Sequence, residues 1–349
     1  MLNEFPLSMI FIFSILFNIF CCFFICSISK RLGIVDTPDG IRKVHKGNIA
    51  LGGGFCIFLP ILACFTVFPD TSLFLSENLK AISLFSLFIL ILGLIDDIRP
   101  LPISIRLIIQ VLVSWGIILI TDLYVRNLGD LFGIGNIYIG ELGIPLTIFM
   151  VVGVTNAFNM LDGMDGLVSL ASLSSFICLS VICFFSGYSF ISLALLCSVL
   201  STFLLFNLGL FSKKWKVFLG DSGAMWIGFL ISWVLIDFSE GNDQLIKPVT
   251  ALWIVLLPLI DALSTFVSRI RKGKPIFSGD RTHIHHVLLD IGLKKWKVLL
   301  LFLVASILSC SFAIYSTIYS SKEYYLFYGF LTLWLFYFLL LKYPLTKNS

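Results

Sequence analysis

Asn156-Ala157-Phe158-Asn159-Met160-Leu161-Asp162-Gly163-Met164-Asp165-Gly166-Leu167 lies between two apolar runs, 145–161 and 166–186. A helix needs about 20 apolar residues to cross a hydrocarbon layer of roughly 30 Å, and lipid tolerates no open sheet edge. The stretch therefore reads as membrane helix, polar junction, membrane helix. On a continued helix Asn156, Asn159 and Asp162 fall three apart and share one face, and Asp165 extends the row. Amides and carboxylates beside a bilayer are costly and mark functional sites by default. Gly163 and Gly166 predict close approach of a ligand or of another backbone. The competing reading is a polar seam, because asparagine also joins helices in membranes.

The rest of the chain extends that reading. Of 349 residues, 58% are hydrophobic and 13% charged, whereas soluble domains run at about half and about a quarter. The expectation is an all-α polytopic membrane protein, a single integral-membrane domain over 1–349. Spans are expected near 7–28, 51–69, 79–95, 103–120, 145–161, 166–186, 189–210, 222–238, 247–268, 297–318 and 324–342, about eleven in all. Glu4 precedes the first and Lys30-Arg31 follow it, the reverse of a signal peptide, so it reads as an uncleaved helix. All nine cysteines sit inside apolar runs without paired ligand spacing, which favours buried thiols over disulfides or zinc.

Basic residues set the orientation. Lys30, Arg31, Arg42, Lys43, Lys46, Arg99, Arg106, Lys213, Lys214, Lys216, the Arg269–Lys274 run, Arg281 and Lys294–Lys297 fall on one side; Lys80, Arg126, Lys247 and Lys322 fall on the other. The positive-inside rule makes the first side cytoplasmic, with the N-terminus outside and the C-terminus inside. Residues 122–144 alternate weakly around glycines and read as a small periplasmic hairpin. Chemistry is then expected in the cytoplasmic loops near 29–50, 96–102, 156–166, 211–222 and 269–296.

Those loops collect Asp36, Asp96, Asp97, Asp162, Asp165, Asp221, Asp280 and all four histidines, while the acids of the outer side are dispersed. Asp96-Asp97 ends the third span, where mutual repulsion and the helix dipole both disfavour paired carboxylates; a bound cation relieves both, and a solvated helix end is the alternative. Asp221, in Lys216-Val-Phe-Leu-Gly-Asp221-Ser-Gly, opens a helix whose N–H groups suit a phosphate; an ordinary N-cap is the alternative. His283, His285 and His286 follow Arg281 and a basic run. No cysteine accompanies them, so magnesium on carboxylates is favoured over zinc, and imidazoles beside arginine suit a pyrophosphate. Lys46 with Gly52-Gly53-Gly54 suits a lipid phosphate. Hard acids, cationic groups and a membrane-edge location together fit phosphoryl transfer. A transporter or flippase using Asp162 and Asp165 is the other class, though its site belongs near the midplane between repeats, and no repeat is visible.

Val35-Asp-Thr-Pro, Leu51-Gly-Gly-Gly, Asp96-Asp97, Asn156 to Gly166, Val217-Phe-Leu-Gly-Asp and Asp280-Arg-Thr-His-Ile-His-His, in this order, resemble the polyprenyl-phosphate N-acetylhexosamine-1-phosphate transferases, glycosyltransferase family 4. The resemblance runs from about Gly33 to Leu293. The His-Ile-His-His form, with Pro275-Ile-Phe-Ser-Gly-Asp-Arg before it, places the chain in the N-acetylglucosamine branch. It implies transfer of N-acetylglucosamine 1-phosphate from UDP-GlcNAc to undecaprenyl phosphate, with release of UMP. The product would be undecaprenyl-pyrophosphoryl-GlcNAc, which initiates O-antigen or another cell-surface polysaccharide; another UDP-N-acetylhexosamine (GalNAc, FucNAc or QuiNAc) is the alternative donor. The resemblance further implies Mg2+ (or Mn2+), catalytic Asp96, Asp97 and Asp221, and metal ligation by Asp221 and Asp97. Lys46, Asn156, Asn159, Asp162, Asp165, Arg281, His283, His285 and His286 would contact substrate. It implies a multi-pass protein of the bacterial inner membrane with its site facing the cytoplasm and no nucleic-acid partner, and it leaves a homodimer open.

Overall fold

The computed structural model describes residues 6–37, 47–68, 77–273, 275 and 283–345. Over these the chain is nearly all helix: α1 (Leu7–Leu32), α2 (Gly53–Val67), α3 (Glu77–Ile98), α4 (Ile103–Thr121), α5 (Gly143–Leu161), α6 (Leu167–Phe185), α7 (Ile191–Asn207), α8 (Gly220–Glu240), α9 (Pro248–Ile254), α10 (Leu256–Arg271), α11 (Ile284–Asp290), α12 (Lys295–Ile318) and α13 (Glu323–Leu345). Among the described residues eight helices are long and apolar enough to cross a membrane, nine if the bent α9–α10 pair is one span; α2 and α7 are shorter apolar helices. The protein is thus a multi-pass membrane protein.

Helix α8 is the axis of the bundle. Residues 222–239 are buried throughout, and the helix packs against α2, α3, α5, α6 and α9. Where lipid and core are equally apolar, helices are held by close packing and buried hydrogen bonds. Small residues make the approach possible. A methyl group on Gly54 would stand 2.8 Å from the Gly223 nitrogen, and one on Gly228 would stand 3.0 Å from the Thr155 Cα. Gly53 lies against the Leu219 backbone and Gly93 against Ser222. The Gly53-Gly54 pair, expected to flank a lipid phosphate, is instead consumed by packing α2 onto the start of α8. Polar bonds tie the outer helices: Asn18 donates to the Val199 carbonyl at 3.1 Å, and Ser14 meets Ser198 at 3.1 Å.

The expected span 247–268 is broken. Helices α9 and α10 meet at Val255 with an 87° bend. Proline has no N–H and crowds the carbonyl four residues back, and Pro258 stands four residues after Ile254. The stranded Ile254 carbonyl accepts from the Ser175 hydroxyl of α6 at 2.9 Å, and the Trp253 carbonyl accepts from Ser309 of α12. Side-chain hydroxyls from neighbouring helices thus satisfy groups that hydrocarbon cannot.

Two short extended pieces complete the fold. β1 (Val35–Asp36) pairs antiparallel with β2 (Ile49–Ala50). Phe218 N–H donates to the Ala50 carbonyl at 2.9 Å, and Gly53 N–H donates to the Phe218 carbonyl at 3.1 Å. The segment entering α8 is thereby stitched to the turn that enters α2. At the opposite end, the expected hairpin forms around an Asn127–Tyr138 bridge. It is clamped by Glu323, which accepts from Asp130 N–H at 3.1 Å and pairs with Lys247 at 3.2 Å.

Candidate active site

The C-terminal ends of α3 and α5 meet the N-terminus of α8, and the acids gather there. Gly220 has φ +72°, a left-handed conformation that glycine adopts without strain, and its missing side chain leaves room for Asp97. The Asp97 Oδ1 accepts from Asp221 N–H at 2.8 Å and its Oδ2 from Ser222 N–H at 3.1 Å. Hence α8 is capped by a carboxylate from another helix, which its positive end favours. Asp221 does not cap its own helix, and its side chain turns to α5 instead. Its Oδ1 accepts from the Asn159 amide at 2.7 Å.

The adjacent acids divide their work. Asp96, 5% exposed, accepts from Leu101 N–H at 2.7 Å and from the Arg106 guanidinium at 2.6 Å, closing the turn into α4. It also reaches the Asp221 carboxyl. The Nε of Arg106 is buried beside them and has no hydrogen-bond partner among the described residues. Sequence reading used Arg106 only for orientation; its place one turn into the helix after the acids was the available signal.

The expected row from Asn156 to Asp165 does not exist as one helical face. Helix α5 ends at Leu161, Asp162 is its C-cap, and Gly166, at φ +80°, starts α6. Gly166 N–H is held by the Asn207 side chain at 2.7 Å. Asn156 is buried and donates to Gln110 of α4 at 2.7 Å and to its own Val152 carbonyl, so the polar-seam reading holds for this residue. Asn159 instead turns to Asp221. Asp165 pairs with Lys216 at 2.7 Å, a lysine of the orienting basic set that also lies in the motif before Asp221. Asp162 stays among like charges: burial first, then the carboxylates of Asp221, Asp97, Asp165 and Asp36, push its carboxyl well above the usual range.

The histidines reach the same place from the other side. His283 precedes α11, while His285 and His286 lie within it. A side chain on Gly163 would overlap the His285 ring, so the glycine beside the acids does serve a close approach, here to an imidazole. His285 is fully buried, and its ring centroid lies 4.2 Å from that of His286. His283 Nδ1 lies 2.6 Å from Asp261 Oδ2. Asp261 was missed in the sequence, although an acid within the apolar run of α10 was its signal. Lys46 and Arg281 lie outside the described residues.

The donor set fits a hard divalent cation. Among the described residues Asp97, Asp162 and Asp221 form no ion pair, and burial together with the neighbouring carboxylates raises the Asp162 carboxyl. No cluster of three His, Cys, Asp or Glu able to hold a metal occurs among those residues. A magnesium ion needs only one or two protein carboxylates when substrate phosphates and water complete its shell.

Known proteins resemble this chain over most of its length. The profile of glycosyl transferase family 4 matches residues 79–239, from the start of α3 to the end of α8. The chain is 35% identical over 315 residues to the undecaprenyl-phosphate alpha-N-acetylglucosaminyl 1-phosphate transferase of Escherichia coli, covering 87% of this chain and 81% of that protein. Proteins of the same name from Yersinia pestis (33% over 311 residues, 88% and 83% covered) and Haemophilus influenzae (34% over 315 residues, 89% and 87%) are similarly related.

Proposed function

This chain belongs to glycosyl transferase family 4, and on that premise we propose that it transfers N-acetylglucosamine 1-phosphate from UDP-GlcNAc to undecaprenyl phosphate. A phosphate oxygen of the lipid forms a bond to the β-phosphorus of the nucleotide sugar. The bond from that phosphorus to the bridging oxygen breaks, UMP leaves with the electron pair, and undecaprenyl-pyrophosphoryl-GlcNAc remains. The observation that carries the reading is the convergence of Asp97, Asp221 and Asp162 where α3, α5 and α8 meet, walled by the histidine helix at Gly163.

Such a site works by positioning and by neutralising charge, as phosphoryl transfer requires. Mg2+ held by Asp221 and Asp97 would neutralise pyrophosphate charge and make UMP a better leaving group. Asn159 holds the Asp221 carboxylate toward the cleft, and the α8 N–H groups hold Asp97. Arg106, with its Nε still free to donate, adds positive charge beside Asp96 and Asp221. His286 would face the diphosphate with His285 packed against it, and Lys46 and Arg281 would serve as phosphate ligands. The acids and histidines share the Lys- and Arg-rich side of the membrane. We place that side in the cytoplasm of a bacterial inner membrane, where the nucleotide sugar is available and the product can prime an O-antigen or a related surface polymer.

Purified protein given UDP-GlcNAc, undecaprenyl phosphate and Mg2+ should release UMP in equal amount to a lipid product of the expected mass. Asp221→Asn should lower turnover by roughly 10²-fold or more, on the scale of losing one preorganised electrostatic contact. No UMP from any UDP-amino sugar would refute the assignment.

A further inference from the structure

We propose that Asp261 is a positioning residue for this transferase, fixing the proton and the ring plane of His283. The inference rests on the reading of α11 as one wall of the transferase site, and it concerns a residue that touches neither the acids nor the substrate cleft.

Asp261 is 2% exposed and His283 is 4% exposed. Three donors surround the Asp261 carboxylate, each from a different source. Its Oδ2 faces His283 Nδ1 at 2.6 Å; its Oδ1 accepts from the Tyr337 hydroxyl of α13 at 2.6 Å and from Ile284 N–H, at the start of α11, at 3.1 Å. An ion buried this deeply costs several kcal/mol, and an apolar residue of similar volume usually packs helices at least as well. Joining α10 to α13 therefore does not by itself account for a carboxylate here. Recognition of an imidazole does. With Oδ1 already accepting two hydrogen bonds, an ionised Asp261 at 2.6 Å requires the His283 proton to sit on Nδ1. Nε2 then becomes the acceptor of a neutral ring or the second donor of a charged one.

The arrangement is transmitted onward. His283 is the N-cap residue of α11, so its ring is tied to the helix start through the same carboxylate that binds Ile284 N–H. The His285 ring stacks over His283 with centroids 5.7 Å apart and planes 14° apart, and His285 in turn packs against Gly163 beside Asp162. Tyr337, Asp261, His283 and His285 thus form a continuous row of contacts from the last helix to the acidic junction. Carboxylates that orient catalytic or ligating histidines act in the same way, by selecting tautomer and ring plane.

The test has two arms. In the first, the ring nitrogens of the full-length protein are followed by NMR with 15N-labelled histidine, and the His283 signal is identified by its loss in His283→Asn. Wild type should carry the His283 proton on Nδ1, Tyr337→Phe should keep it there, and Asp261→Asn should redistribute it. In the second arm, Asp261→Asn should lower kcat/KM for UDP-GlcNAc by roughly 10–100-fold, the range seen when a carboxylate behind a ligating histidine is removed. Asp261→Asn combined with His283→Asn should lie within about 2-fold of His283→Asn alone, because the two residues act as one unit. Tyr337→Phe keeps the carboxylate and should lose less than 10-fold. A wild-type His283 protonated on Nε2, or independent losses that multiply in the double variant, would overturn the proposal. Absence of UMP from wild type with an Nδ1-protonated His283 would instead refute the assigned reaction and leave the dyad standing.

Discussion

Gly220→Ala is the sharpest test of how the acids are held. Gly220 sits at φ +72°, and a methyl group there would stand 2.7 Å from Asp97 Oδ2 and 2.9 Å from Oδ1. Ordinary contact begins at 3.4 Å, so the carboxylate must retreat by at least 0.7 Å (3.4 − 2.7). That shift is enough to stretch the 2.8 Å and 3.1 Å bonds to the Asp221 and Ser222 N–H groups toward the limit of hydrogen bonding. Two consequences follow. The left-handed backbone costs about 1–2 kcal/mol for alanine, and weakened bonds to a charged acceptor add about 1.5–3 kcal/mol. A displacement of about 1 Å in a reacting group costs on the order of 10²-fold in rate, so a 0.7 Å retreat should cost roughly 30-fold in kcat. Gly33→Ala supplies the control: Gly33 has φ +74° and nothing within 4 Å of the added methyl, so it carries the backbone strain alone. Initial rates of UMP release and thermal unfolding in the same detergent should show a larger stability loss in Gly220→Ala than in Gly33→Ala, by the weakened Asp97 bonds, and a rate loss confined to Gly220→Ala. Equal rates in the two variants would refute the reasoning, because Asp97 would then not need the α8 N-terminus to do its work.

Other outcomes are equally concrete. Burial and neighbouring carboxylates raise the Asp162 carboxyl in the folded protein; above pH about 4, the unfolded value, the folded state therefore holds more protons than the unfolded state and stability falls as pH rises. Metal-free wild type should lose thermal stability from pH 5 to 7, whereas Asp162→Asn should give a flatter profile and a more stable protein at pH 7; a variant with the wild-type slope would sink this account. Ser175→Ala should leave the Ile254 carbonyl only the weak Cys310 thiol contact at 4.0 Å and cost about 1–3 kcal/mol with kcat nearly unchanged, so a full-stability variant would mean that the bend does not depend on the Ser175 bond.

Much of the site was legible because membranes make polar residues expensive. Asp96, Asp97, Asp162, Asp165, Asp221 and His283, His285 and His286 stand out at the ends of apolar runs, and the structure brings them to one end of the bundle. The grouping was visible, but the partners were not. Asn156 and Asn159 are three residues apart on one helix, yet one bonds to α4 and the other to α8. That choice depends on which helices pack on either side, and helix periodicity carries no such information. Asp261 was hidden for the opposite reason: it lies mid-run, and its meaning arises only when α11 and α13 are folded against α10.

Composition and the lengths of the apolar runs sufficed to determine a helical membrane bundle, because each hydrocarbon crossing obliges backbone polar groups to bond within their own segment. Charge placement likewise sorted the loops that carry chemistry from those that do not. Tertiary structure alone decided that Asp97 caps α8 while Asp221 turns to Asn159 of α5, that α9 and α10 part at an 87° bend, and that a buried carboxylate meets His283. These are contacts between residues 22 to 125 positions apart in some cases and set by a single missing side chain or N–H in others, as at Gly220 and Pro258. Their energies come from distances between helices, which the order of residues along one helix does not specify.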